Sequence, residues 1–119
     1  MDTPNPNTES DPRFPSGKWG GFWTDRRLPG KHPMELLLTF SDGTMTGSGR
    51  DWVSEFNIEG TYQIDDGQCV FLMQYVGKHT VGYRGFNEGK GSWGTWEMTV
   101  AGQKIMGGFH IWPEGMSDP

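Results

Sequence analysis

The chain of 119 residues has one cysteine, Cys69, which excludes an intramolecular disulfide framework and a cysteine-based zinc site. It also lacks a basic stripe. Ten Lys and Arg stand against fifteen Asp and Glu, mixed along the sequence, for a net charge of −5. Such a surface offers little to a phosphate backbone, so nucleic acid is not an expected partner. No apolar run nears the roughly 18 residues that span a bilayer as a helix. The first residues have neither the basic start nor the apolar stretch of a signal peptide. A cytoplasmic setting with no membrane partner is expected. Helical periodicity is missing too: no stripe at a spacing of 3.6 residues runs for a useful length.

Hydrophobic residues are few, at 33%, but aromatics at 13% supply large buried areas. A core is attainable if they point inward. The length suits a single domain. Nineteen glycines and eight prolines sit beside turn residues or at alternate strand positions, with no collagen period. Residues 1–17 gather Pro4, Pro6, Pro12 and Pro15 among Asn, Thr, Ser, Asp and Glu and read as a flexible tail. The domain is expected over 18–113, with a short C-terminal tail over 114–119.

From Lys18 onward the period is two. Strands are expected over 18–24, 34–40, 44–50, 55–64, 69–76, 79–86, 91–100 and 103–112, with a long loop at 25–33 and Pro113 as a stop. Three hairpins fix their own registers. A turn at Asp42-Gly43 pairs Phe40 with Met45, Leu38 with Gly47 and Leu36 with Gly49. A turn at Asp66-Gly67 pairs Ile64 with Cys69, Tyr62 with Phe71, Gly60 with Met73 and Ile58 with Tyr75. A turn at Ala101-Gly102 pairs Met98 with Ile105, Trp96 with Gly107 and Gly94 with Phe109. Each puts apolar residues on one face, and a one-residue slip would invert it. Leu38, Phe40, Met45, Ile58, Met98 and Ile105 should therefore be buried, and Glu35, Thr46, Asn57 and Glu97 exposed. The strand over 79–86 has two rival faces, of which His79-Val81-Tyr83-Gly85 is taken as inner.

Gly21, Gly47, Gly49, Gly60, Gly85, Gly94 and Gly107 fall on the inner face, often across from a large residue. Small opposite large is what a tightly curved barrel needs. The expected fold is all-β: one closed, eight-stranded, antiparallel up-and-down barrel, with the first strand closing against the last to remove exposed edges.

Gly17-Lys18-Trp19, a G-x-W opening, and the D-G-x-x-x-G element Asp42–Gly47 resemble features of the avidin-like and lipocalin-like (calycin-type) barrels. The resemblance spans about Lys18 to Trp112. It implies a small, largely apolar ligand held inside the barrel and no catalytic residues. Thr24-Asp25-Arg26-Arg27-Leu28 stands where avidins have an Asn-Gln-Leu-Gly-Ser-like run, so biotin binding is not implied.

Turn alternation puts 25–33, 50–54, Gly77-Lys78 and Ala101-Gly102 at one barrel end, with most of the unusual polar residues. A ligand site belongs there. Asp51 continues the inner face and either anchors a ligand or closes the barrel end through a buried tyrosine, an arginine or loop amides. His79 either pairs with Asp51 as a proton-handling or ligand-orienting dyad or bonds locally to backbone. Trp19, Trp23, Trp96, Tyr62, Tyr75 and Tyr83 make either a stacking box or plain core. Outside, Phe22, Trp93, Met106, His110 and Trp112 share neighbouring strands and could be covered by a second copy or by the tail through Phe14. His32 and His110 lack partners at ligand spacing, so no metal is expected. Nor is a cofactor: the glycine-rich turns lack phosphate-loop spacing. Ser48, Ser54, Ser92 and Cys69 lack a nucleophile's context. The expected function is a non-catalytic barrel for a small apolar or aromatic ligand, its mouth at the Asp51/His79 end. The alternative is a filled barrel that acts as an interaction or homodimerisation module. An enzyme built on Asp51 and His79 ranks third.

Overall fold

Alternation of apolar and polar side chains becomes strand after strand in a computed structural model, which describes residues 8–116. The strands are β1 (Gly17–Asp25), β2 (Leu28–Ser41), β3 (Thr44–Arg50), β4 (Glu55–Tyr62), β5 (Gln68–Tyr75), β6 (Thr80–Asn87), β7 (Ser92–Val100) and β8 (Gln103–Pro113). Each pairs antiparallel with the next, and β1 closes on β8 through pairs such as Phe22↔His110. The chain is thus a single closed, up-and-down, eight-stranded barrel, as its sequence implies.

Two hairpin registers agree with the sequence reading: Phe40↔Met45 and Leu36↔Gly49 across β2–β3, and Met98↔Ile105 and Trp96↔Gly107 across β7–β8. The β4–β5 register differs. Tyr62 pairs with Cys69, Gly60 with Phe71 and Ile58 with Met73, two residues from the expected partners. Ile64 sits exposed in a longer turn whose Gly67 amide donates to the Gln63 carbonyl at 2.9 Å. A shift of two keeps every side chain on its face, so the inner residues stay the same. In β6, Val81, Tyr83 and Gly85 point inward and Arg84 and Phe86 outward.

The expected loop over 25–33 is mostly strand. Asp25 pairs with Leu28 and Phe22 with Pro33, so β1 and β2 join through a tight turn at Arg26-Arg27. Pairing of β2 with β3 begins only at Glu35↔Arg50. Residues 28–34 are therefore a local edge, where Pro29 and Pro33 omit no needed hydrogen bond.

Inside, Leu38, Phe40, Met45 and Ile58 are buried, while Glu35, Thr46, Asn57 and Glu97 are exposed. Met98 and Ile105, expected in the core, are only half-buried because they lie near the open end. All seven inner glycines are cramped. A Cβ on Gly107 would stand 2.5 Å from the Trp96 indole, and one on Gly49 2.6 Å from the Phe56 ring. These are the small-opposite-large contacts that tight curvature requires.

The expected tail also differs. Residues 1–7 lie outside the described residues, but 8–16 cross the end of the barrel that carries the Asp-Gly turns. Thr8 bridges to Ser41, and the Glu9 amide donates to the Phe40 carbonyl at 3.0 Å. Phe14 is fully buried between Phe40 and Tyr62, with ring centroids 5.4 and 4.9 Å away. Arg13 donates to the Asn87 and Ile64 carbonyls, and the Asn87 amide donates back to the Arg13 carbonyl at 2.7 Å. The strap thus plugs the barrel end; Phe14 does not cover the outer face of β1, β7 and β8.

Candidate functional site

With one end plugged, the opposite end is where the interior opens. A cavity of about 410 Å³ lies there, lined by Trp23, Asp25, Arg27, Leu28, Trp52, Val53, Tyr75, His79, Val81, Tyr83, Trp96 and Met98. Its size and apolar lining are those of a small-molecule pocket. A larger hollow of about 800 Å³ lies against the outer wall, among Lys18, Glu35, Ser48, Arg50 and Asn57. Its exposed Arg50–Glu35 ion pair at 3.1 Å is ordinary solvated surface, so the interior cavity is the candidate.

The walls are held from behind by Asp51. One carboxylate oxygen, Oδ2, accepts the Tyr75 hydroxyl at 2.5 Å and the Trp23 Nε1–H at 3.1 Å. The other, Oδ1, accepts the amides of Val53 at 2.9 Å and Ser54 at 3.4 Å. The carboxylate therefore faces four donors, which is how a partly buried charge is made tolerable. It ties a strand-borne Trp and a strand-borne Tyr to the β3–β4 loop. Of the two readings of Asp51, its contacts match closure of the barrel end.

His79 lies just before β6 at the rim. It is exposed, not inward, with its ring 4.9 Å from the Tyr75 ring. No hydrogen bond joins it to Asp51 among the described residues, because the body of Tyr75 stands between them. Asp25 is buried at the mouth, and Arg27 folds back on it through a 2.7 Å ion pair and two further hydrogen bonds. The Arg27 hydrogen bonds hold the Asp25 carboxyl below its usual range despite burial. Trp52, 62% exposed, leans over the mouth. Its Nε1–H donates to His32 Nδ1 at 3.2 Å, and His32 stacks on Trp23 at 4.3 Å.

Trp23, Tyr75, His79, Tyr83 and Trp96 line the cavity, as expected of site residues. Trp19 and Tyr62 do not. Trp19 packs on Phe40 and donates its Nε1–H to the Pro15 carbonyl at 2.8 Å, while the Tyr62 hydroxyl donates to Glu9 at 2.7 Å. Both belong to the plugged end, because β1 and β4 carry their Trp19 and Tyr62 positions away from the mouth. Trp52, Val53, Val81, Met98, Leu28, Asp25 and Arg27 were missed by the sequence reading. For Trp52 a signal exists: a large apolar residue inside a polar loop, next to Asp51.

Burial is the main reason that both cavity tyrosines resist ionisation. It pushes the Tyr75 and Tyr83 hydroxyls well above their ordinary range, with Asp51 adding to the effect. Burial likewise pushes the Cys69 thiol to about 11, beyond ready thiolate chemistry. Among the described residues no three of His, Cys, Asp and Glu gather as metal ligands.

On the outer wall, Phe86↔Trp93, Trp93↔His110, His110↔Phe22 and Phe22↔Pro33 form one row across five strands. Trp112 packs on both Phe22 and His110. Trp93 and Met106 are each half exposed, but Met106 lies further along β8, beyond Gly108. No family model, curated protein or solved structure matches the chain.

Proposed function

We propose that the barrel binds a small, largely apolar or aromatic molecule in the cavity at the Asp51/His79 end and carries out no chemistry on it. One observation carries the reading: a cavity of about 410 Å³ walled by Trp23, Trp52, Trp96, Tyr75 and Tyr83, beneath loops that a fully hydrogen-bonded carboxylate holds in place. A preformed apolar site of this kind avoids the ordering cost that weakens binding. The motif resemblance to avidin-like and lipocalin-like barrels supports the same reading. The neutral fluorophore N-phenyl-1-naphthylamine tests it. Saturable enhancement is expected with the native protein, and at least a tenfold loss of affinity with Val81→Phe, which fills the cavity from its wall. Equal binding by both proteins, or none by the native one, would overturn the reading.

The continuous outer aromatic row favours a second reading, self-association through β1, β7 and β8. Sedimentation velocity decides it: a concentration-dependent dimer is expected, lost in Trp93→Ser, and a monomer throughout would refute it.

A further inference from the structure

We infer that the cavity's occupant is a flat aromatic molecule, not an anion, whose buried end carries one hydrogen-bond acceptor for the Tyr83 hydroxyl. This rests on the proposed binding role and narrows it. Three tryptophans line the cavity, and every indole N–H is already committed to a protein acceptor. Trp23 donates to Asp51, Trp52 to His32 and Trp96 to the Thr24 carbonyl at 2.9 Å. The Tyr75 hydroxyl donates to Asp51. These side chains therefore offer the interior ring faces and edges, which favour stacked or edge-on contact with another ring.

Tyr83 is the exception. It is 3% exposed, its ring stacks on Phe71 at 4.9 Å and meets Phe109 at 5.0 Å, yet its hydroxyl has no hydrogen-bond partner among the described residues. Among the described residues no fully buried polar side-chain atom lacks a partner, so what exposure this hydroxyl keeps is through the cavity that Tyr83 lines. A donor on the wall of an apolar cavity without a protein acceptor suits a ligand that supplies one. Burial, reinforced by Asp51, keeps the phenol protonated and hence able to donate.

Charge sets the second half of the inference. Arg27, the one Lys or Arg among the lining residues, is already tied to Asp25, and His79 stands exposed at the rim, so an anionic group at the buried end would find no free countercharge and would meet the field of Asp51. A cationic group would gain from that same field and from the ring faces, but it supplies no lone pair for the Tyr83 donor. A carbonyl, ether or ring nitrogen on a planar body supplies the acceptor without adding a negative charge.

Four naphthalenes substituted at one position test this by calorimetry: 2-acetylnaphthalene, 2-ethylnaphthalene, 2-naphthoate and the 2-naphthyltrimethylammonium ion. Tyr83→Phe should weaken the ketone about threefold to tenfold, the worth of one neutral hydrogen bond, and leave the hydrocarbon within about twofold. Hydrocarbon binding by the variant also shows that it is folded. On the native protein, a comparison that needs no variant, 2-naphthoate should bind at least about tenfold more weakly than the ketone, since its charge finds no free countercharge and meets that of Asp51. The ammonium ion, which offers Tyr83 no acceptor, should change by less than about twofold in Tyr83→Phe. Binding of the ethyl compound together with an unchanged ketone affinity in Tyr83→Phe would overturn the acceptor inference alone. Naphthoate that binds as tightly as the ketone would overturn the exclusion of anions alone. If none of the four binds, the proposed binding role itself fails.

Discussion

Asp51 shows how one residue can shape a site without lining it. Its two oxygens receive donors from β1, from β5 and from the loop after β3, so the carboxylate works as a clasp among three segments. Asparagine keeps the shape but turns one oxygen into an N–H₂ group facing the Trp23 and Tyr75 donors. Asp51→Asn should therefore lower unfolding stability by about 1–3 kcal/mol, the cost of stranding buried donors, seen as an earlier urea midpoint with an unchanged slope. Glu35→Gln is the control. The Glu35–Arg50 pair is mostly solvent-exposed on both sides, and its loss should change stability by less than about 1 kcal/mol. Equal effects from the two substitutions would mean that Asp51 is not a clasp. The inward course of Asp51 could be read from strand alternation, and a buried tyrosine and loop amides were among the partners expected of it, but neither which tyrosine nor Trp23 could be read. Trp23 and Tyr75 lie 28 and 24 residues away, and only barrel closure brings them to one point.

At the scale of elements, side-chain parity was largely legible, while phase was legible only across the β2–β3 and β7–β8 hairpins, whose turns take two residues. The inner and outer faces follow from alternation in every strand but β6, where two faces rivalled each other and His79, taken as inner, is exposed; a shift of two residues, however, preserves alternation. The β4–β5 pairing therefore depends on how many residues the turn after Tyr62 takes up, which hydrophobic pattern does not encode. The start of β2 was hidden for a different reason. Pro29, Gly30 and Pro33 read as loop, and a central strand would reject them, but residues 28–34 have a partner on one side only. The strap over 8–16 was misread because composition averages over a segment, whereas plugging a barrel end needs one well-placed ring. Phe14→Ala removes that ring from a fully buried position and should cost about 3–5 kcal/mol, measured by urea unfolding. A loss below about 1 kcal/mol would show the strap to be dispensable. Gly107→Ala probes the barrel's curvature. A Cβ there would press on the Trp96 ring and on the Thr24 carbonyl, so a loss of about 1–3 kcal/mol is expected from overpacking. Because Trp96 walls the cavity, probe affinity should fall with it.

Across the whole molecule, the barrel is divided along its axis, with one half packed under the strap and the other open beneath the Asp51 loop. Its three tyrosines sample both halves. Tyr62 lies at the plugged end, where burial, with help from the hydrogen bond to Glu9, raises its hydroxyl from 10.0 to about 12. Tyr75 and Tyr83 wall the cavity, and burial raises both further still. All three shifts are upward, so the stability linked to them is fully present below pH 10, the unfolded value, and is lost as the pH rises from there through the folded values. Since the chain contains no other tyrosine, none should ionise at its ordinary pH while the barrel stands. A spectrophotometric titration at 295 nm should stay flat past pH 10. The phenolate signal should then rise steeply, near or above about pH 11, together with loss of the near-ultraviolet circular dichroism, because ionisation and unfolding are linked. A tyrosine that titrates near pH 10 with the dichroism intact would place at least one of these rings in water and remove either the plug or the cavity wall from the description.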